Sequence, residues 1–174
     1  MPSRRLILLG ALALGACASA PPAPTGPIRP LTLDQAFAGQ KTGRGLFRIY
    51  LTGDERRFEA RLRGTLSMGG TRLTVVEDFI YDDGEKNRLT WVFDRTGPGL
   101  WSGRREDTVG TASAVEENGV IRLSYTADFK SPSGVNRLGF ADIIYRRADG
   151  LIVNDAVVSR GGFPVGSVRF EIRG

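Results

Sequence analysis

The chain has 174 residues, of which 41% are hydrophobic and 25% charged, proportions that are typical of globular domains. It contains one cysteine and no histidine, which excludes an internal disulfide, histidine-based metal sites, and catalysis by Ser-His-Asp or Cys-His groups. Its formal net charge is +5, but basic residues alternate with acids and do not form the basic stripe of nucleic-acid-binding proteins. We therefore expect one globular domain that binds no nucleic acid.

Residues 1–16 have the pattern of a secretory leader. Arg4 and Arg5 form its basic region, and residues 6–14 form a short apolar region. This apolar stretch is much shorter than the roughly 20 residues that a membrane-spanning helix needs. The leader is therefore expected to be removed.

The sequence Leu14-Gly15-Ala16-Cys17 resembles a bacterial lipobox. In that motif a diacylglycerol group is attached to the cysteine sulfur, and signal peptidase II then cleaves just before the cysteine. Acyl chains such as palmitate on Cys17 would anchor the protein stably to a membrane. Because Ala18 and not aspartate follows the cysteine, the resemblance favours the periplasmic face of the outer membrane of a Gram-negative bacterium. The alternative is ordinary cleavage at a neighbouring alanine, which would discard or strand the thiol.

Residues 17–30 are predicted to be a lipidated cysteine followed by a proline-rich linker. Five of the nine prolines lie between residues 18 and 30, where no acidic residue occurs. Such a segment favours the extended polyproline II conformation, which would allow it to span roughly 40 Å. We expect it to act as a spacer between the membrane and a domain over residues 31–174.

The domain itself is predicted to be almost entirely β-structure. Only residues 31–37 have helical spacing, with Thr32 or Asp34 available as a helix cap. Over residues 57–66, apolar and charged residues alternate, which indicates a strand with one buried face. The same reasoning predicts ten strands in all: 46–51, 57–67, 71–81, 88–95, 99–104, 108–115, 120–129, 137–147, 151–159 and 165–173.

The predicted strands are separated by turn sequences such as Asn118-Gly119 and Asp149-Gly150 and by no crossover helix. A meander of hairpins is the simplest topology, and closure would remove exposed strand edges. We therefore expect an antiparallel barrel or half-barrel of eight to ten strands with one short N-terminal helix. A membrane pore is not favoured, because the outward-facing positions of the strands are charged and not continuously apolar.

Several segments resemble one protein family. They are residues 76–85, Trp91 in the following strand, and residues 107–112, 140–145 and 149–154. Over roughly residues 33–172, they are similar to the family called domain of unknown function 3833, which comprises Gram-negative lipoproteins with a β-rich domain. The resemblance implies a lipocalin-like or calycin-like barrel and a lipobox, and it brings no established activity.

Carboxylates are dense in one stretch of the chain, at Glu77, Asp78, Asp82, Asp83 and Glu85. With Asp142 or Asn154 they could supply oxygen ligands to calcium, but their spacing matches no calcium loop. We expect instead that residues 82–84 form a hairpin turn. An ion pair of Asp78 or Glu85 is also expected, with Arg88 or Arg105 as the partner.

Glu77 shares one face of its predicted strand with apolar residues at positions 73, 75, 79 and 81. If that face points into the barrel, Glu77 is a buried acid. It must then be matched by an arginine or tyrosine, or belong to a polar binding site. In the opposite register Asp78 would be buried in its place.

Aromatic residues at apolar strand positions could line a cavity for an acyl chain, or they could simply fill the core. They are Phe47, Trp91, Phe93, Tyr125, Phe129, Phe140, Tyr145 and Phe170. Together with the acids, this set gives the candidate ligand-binding residues Glu77, Tyr81, Trp91, Tyr125 and Asp142.

Three functions are compatible with the sequence. The first is a non-catalytic, lipid-anchored periplasmic protein that binds a hydrophobic or amphipathic ligand and needs no metal or cofactor. The second is an envelope protein that docks a protein partner through the surface of a filled barrel. The third is an acid-dependent hydrolase that uses Glu77, Asp78, Tyr81 and Asp82, which would require a carboxylate with a raised pKa in a cleft.

Overall fold

Alternation of apolar and polar side chains gives eleven β-strands and one short helix in the computed structural model, which describes residues 20–131 and 134–174. The elements are β1 (Ile28–Arg29), α1 (Leu33–Phe37), β2 (Gly39–Ile49), β3 (Glu55–Ser67), β4 (Arg72–Tyr81), β5 (Lys86–Gly97), β6 (Leu100–Arg104), β7 (Ala112–Glu117), β8 (Val120–Ser131), β9 (Gly134–Arg147), β10 (Ile152–Arg160) and β11 (Phe163–Arg173). A single 3₁₀ turn, Met68–Gly70, joins β3 to β4.

The strands β2 to β11 form a closed antiparallel barrel. Each strand pairs with the next along the chain, and β11 pairs back with β2. This closes a ring of ten strands and leaves no free edge between the first and the last. The predicted fold class is therefore confirmed, and the alternative of an open half-barrel is excluded.

The two ends of the barrel differ. Because neighbouring strands are antiparallel, the connections after β2, β4, β6 and β10 and the last residues of β8 all lie at one end, which we call the open end. Helix α1 fills the other, closed end with the buried side chains of Leu33, Ala36 and Phe37. A Cβ atom on Gly64 of β3 would lie 1.9 Å from the Phe37 carbonyl oxygen. Glycine at this position therefore allows the helix to pack directly on the strand.

A half-buried carboxylate holds α1 in place. One oxygen of Glu116, on β7, accepts hydrogen bonds of 2.8 Å from both the Leu33 backbone N–H and the Trp101 indole N–H. Thr32 is the N-cap residue, but its side chain makes no capping hydrogen bond. The predicted cap at Thr32 or Asp34 is therefore replaced by a contact from a distant strand.

Two predicted strands were wrong in their boundaries. Strand β2 begins at Gly39, not at residue 46. Glycine in this part of the strand leaves room for aromatic rings from neighbouring strands, since a Cβ on Gly45 would lie 2.1 Å from the Phe58 ring. Strand β7 covers Ala112–Glu117, whereas residues 108–111 are outside it. Thr108 forms instead a turn, in which its hydroxyl donates to the Arg105 carbonyl at 2.9 Å.

The chain joins the barrel at the closed end. Ile28 and Arg29 form β1, which pairs with the last residues of β9, and Leu31 donates a backbone hydrogen bond of 3.2 Å to Gly119. Folded structure thus begins two residues before the predicted end of the linker, and Pro21 is also buried. Within residues 20–131 and 134–174, no helix is long and apolar enough to cross a membrane.

Candidate functional site

The upper half of the barrel, towards the open end, encloses a cavity of about 1240 Å³. The floor of the cavity is formed by Phe37, Val75 and Phe93. These three residues also belong to the packed core at the closed end. Its mouth lies among the connections of the open end, where Asp83 and Pro164 line it. The interior is therefore hollow towards one end and filled towards the other.

The five candidate ligand-binding residues all line this cavity: Glu77, Tyr81, Trp91, Tyr125 and Asp142. They come from four strands, and the register of each strand turns the side chain inward. On β4 the inward positions are the odd-numbered ones, so Glu77 is buried and Asp78 lies on the outer surface. Of the two registers that the sequence left open, the structure therefore has the one with Glu77 inside.

Aromatic rings form a large part of the cavity wall. The rings of Tyr125 and Phe140 stack with centroids 4.7 Å apart, and Trp91 meets the Tyr125 ring edge-on at 5.0 Å. Of the eight aromatic residues considered in the sequence, seven line the cavity. Tyr145 does not, because it is on the outward face of β9, where its hydroxyl donates to Asp155 at 3.0 Å.

Polar side chains interrupt the aromatic wall about halfway down; we call Glu77, Arg105, Tyr125, Asp142 and Asn154 the polar belt. Arg105 comes from the connection after β6, and its guanidinium lies 4.8 Å from the Trp91 ring centroid and 5.3 Å from that of Tyr125. From the sequence, Arg105 is predicted only as an ion-pair partner of Asp78 or Glu85. Its actual partner is Asp107, with bonds of 2.7 and 2.9 Å.

The two acids of the polar belt have strongly perturbed pKa values. Burial raises the pKa of Glu77 to about 7, although the Arg105 guanidinium opposes this rise. Burial also raises the pKa of Asp142 to about 7, against the opposing effects of the Asn154 hydrogen bond and Arg105. Both groups therefore change protonation near neutral pH, whereas burial raises the pKa of Tyr125 and keeps its hydroxyl protonated.

The remaining acids of the 77–85 stretch lie on the outer surface or at the cavity mouth, and each has a partner, which for Asp82 is the backbone N–H of Arg57 at 3.1 Å. Asp78 forms ion pairs with Arg88 at 2.5 Å and with Arg63 at 3.0 Å on the outer surface. Residues 82–84 form the turn between β4 and β5, as predicted. Asp83 and Glu85 both pair with Arg56, at 2.7 and 2.5 Å. Of the predicted ion pairs, Asp78 with Arg88 is thus confirmed, whereas Glu85 has a different partner.

This arrangement does not assemble the chemistry considered as alternatives. In the described part of the chain, no three acidic or cysteine side chains converge as metal ligands. Asp78 points away from Glu77, so the proposed hydrolase set of Glu77, Asp78, Tyr81 and Asp82 is not brought together.

The open end carries an apolar collar around the mouth. Its six members are exposed, including Leu51 with 94% of its surface accessible. Ile49, Tyr50, Leu51 and Phe129 line the mouth, and Val135 and Phe163 lie at the same end, at the starts of β9 and β11. Exposed apolar residues gathered at one place on a monomer usually mark a contact with a ligand, a membrane or another protein. The lipobox residues Leu14, Gly15, Ala16 and Cys17 lie outside the described residues.

Comparison with known proteins supports the fold. The structure is similar to that of an S-type phycobiliprotein lyase from Guillardia theta, with a TM-score of 0.54 and 8% sequence identity over 78% of this chain and 85% of that one. No curated protein is significantly similar to the chain in sequence. A family profile does match residues 11–173, which is nearly the whole chain. The chain therefore belongs to the family described as protein of unknown function (DUF3833).

Proposed function

We propose that this protein is a non-catalytic, lipid-anchored protein of the periplasmic face of the outer membrane, and that its barrel binds one hydrophobic or amphipathic ligand. The observation that carries the proposal is the open cavity of about 1240 Å³. Small-molecule pockets typically measure about 300–1,000 Å³, so this one can accept a ligand of ordinary or larger size. A hollow interior favours a ligand carrier over a filled barrel that acts only through its surface.

The positions of the mouth and of the chain's entry point support this function. Strand β1 joins the barrel at the closed end, while the apolar collar surrounds the mouth at the open end. A lipid anchor at Cys17 would therefore leave the mouth free for ligand exchange. The collar gives an apolar ligand a surface to contact before it enters the cavity.

Ligand binding is tested with the neutral, apolar fluorophore diphenylhexatriene. We expect the mature chain after Cys17, residues 18–174 secreted behind an exchanged leader, to bind it saturably with a 1:1 stoichiometry. The reason is that one cavity with an aromatic wall offers a single apolar site. Fluorescence that rises linearly with probe concentration, without saturation, would contradict the proposal.

The anchor is tested by metabolic labelling with an alkyne analogue of palmitate. Cys17→Ala is expected to abolish labelling, because the substitution removes the only thiol in the chain. Ser19→Ala, two positions further along, serves as the control and should be labelled like the wild type. Undiminished labelling of the Cys17→Ala protein would show that the lipobox interpretation is wrong.

A further inference from the structure

Four oxygen atoms of the polar belt, on Glu77, Asp142 and Asn154, lack a hydrogen-bond partner among the described residues. The Oδ1 atoms of Asp142 and Asn154 are both buried, and neither meets a hydrogen-bond donor among the described residues. Glu77 is 6% exposed as a residue, and its carboxyl forms no hydrogen bond or ion pair within residues 20–131 and 134–174. Buried polar atoms in folded proteins nearly always have a partner. These acceptors therefore indicate a ligand that brings hydrogen-bond donors.

The charges of the cavity also bear on which ligand it can bind. Arg105 is the cation of the interior wall, since Arg56 and Arg160 line the cavity only at its mouth. Its charge is already matched by the two-pronged ion pair with Asp107. The carboxyls of Glu77 and Asp142 therefore have no counter-ion of their own. An anionic ligand would meet uncompensated acids here, whereas a cationic one would neutralise them.

We propose that the polar belt binds the ammonium group of an amphipathic amine, whose apolar body occupies the aromatic part of the cavity. This inference rests on the proposed ligand-binding function and specifies its ligand class. An ammonium group has three N–H donors and no acceptor, which complements the unpaired acceptors of Glu77, Asp142 and Asn154. The apolar body then lies between the belt and the collar.

The aromatic wall already accommodates one cation, the Arg105 guanidinium. The faces of Trp91 and Tyr125 already stack against the Arg105 guanidinium, which shows that positive charge is stable beside them. The stacked rings of Tyr125 and Phe140 continue this wall to the level of Asp142. The attraction for an ammonium group at the belt therefore comes from the carboxylates, because Arg105 and the stacked rings of Phe93 and Phe140 already cover the faces of Trp91 and Tyr125.

Binding of an ammonium group should depend on pH. The charged or titratable groups that face Glu77 are Tyr81, Arg105, Glu106, Asp107, Tyr125 and Asp142. Of these, only Asp142 shares with Glu77 a pKa of about 7. An alkylammonium group resembles the lysine side chain, with a pKa of about 10.4, and stays charged from pH 5.5 to 8. Affinity should therefore rise with pH as the two carboxyls ionise.

The experiment compares three ligands of equal chain length as competitors of diphenylhexatriene on residues 18–174: decylamine, 1-decanol and decanoic acid. At pH 8 we expect decylamine to displace the probe at a concentration at least tenfold lower than either of the others. At pH 5.5 the advantage of decylamine over 1-decanol should fall to about twofold or less, because both belt acids are then protonated.

Substitutions test whether the preference for decylamine over 1-decanol depends on the polar belt. In the double variant Glu77→Gln, Asp142→Asn, the affinities for decylamine and 1-decanol should become nearly equal at pH 8. In the control Glu59→Gln, an exposed acid on β3, the preference should remain. Decanoate binding as tightly as decylamine, or a preference that survives in the double variant, would overturn the inference. If none of the three displaces the probe and the probe itself does not bind, the proposed ligand-binding function is wrong, and so is this inference, which rests on it.

Discussion

Replacing the two buried acids, by Glu77→Gln together with Asp142→Asn, is expected to raise the free energy of unfolding of the ligand-free protein at pH 8 by about 3 kcal/mol or more. Burial raises the pKa of each carboxyl to about 7, from ordinary values of 4.5 and 3.8. At pH 8 the folded protein therefore holds two ionised groups in a cavity that disfavours charge. Glutamine and asparagine keep the shape and remove this cost.

The sign of the effect follows from proton binding. A raised carboxyl pKa means that the folded state binds more protons than the unfolded state between about pH 4 and pH 7, so stability falls as the pH rises through that window. Exposed acids with lowered pKa values, such as Asp78 beside Arg88, are already ionised in both states above pH 5. The slope between pH 5 and pH 8 therefore comes from Glu77 and Asp142.

Urea denaturation at pH 5, 6, 7 and 8 measures this slope. The wild type should lose stability across the series, while the double variant should show a nearly flat profile. Glu59→Gln is the matched control and should follow the wild type within about 0.5 kcal/mol, as surface substitutions usually do. Parallel profiles of the wild type and the double variant would show that burial of the two carboxyls does not lower the free energy of unfolding.

Filling the cavity is expected to abolish most ligand binding. Ala156 lines the cavity on β10, directly opposite Asp142 on β9 and Val168 on β11. In Ala156→Trp, an indole would project into the cavity beside the polar belt. The indole and the probe would compete for the same volume, and because overpacking costs about 1–3 kcal/mol, we expect the affinity for diphenylhexatriene to fall about 5- to 150-fold.

The neighbouring position provides the control for this substitution. Val157 is on the opposite, outward face of β10 and does not line the cavity. Val157→Trp should therefore add the same side chain without changing probe affinity by more than about twofold. Equal affinities of both variants and the wild type would place the bound probe outside the barrel.

The fold could be predicted from sequence because its strands follow a simple rule. Charged residues at positions 57, 59, 61 and 63 alternate with inward-facing ones, and all four are exposed in β3. The first half of β2 was missed because Gly39, Gly43 and Gly45 lower its strand propensity. Gly43 and Gly45 are explained only by the rings of Phe170 and Phe58, which neighbouring strands place against β2, whereas Gly39 has a φ of +83° that favours glycine.

The candidate site was predictable only in part. Glu77 could be singled out because four apolar neighbours share its face, but its depth depends on barrel closure. Arg105 was missed because it lies among charged residues in a connection, a pattern that usually indicates a solvated surface. Only the closed barrel places it over Trp91. The cavity itself depends on how completely inward side chains fill the interior, which no local pattern reveals.

The most direct test of the central claim, that the barrel interior binds one ligand, is native mass spectrometry of residues 18–174 purified from a Gram-negative periplasm without detergent. We predict a native mass that exceeds the denatured mass by one small molecule, and a smaller occupied fraction in Ala156→Trp. Identical native and denatured masses, with no 1:1 complex after addition of diphenylhexatriene, would contradict the account.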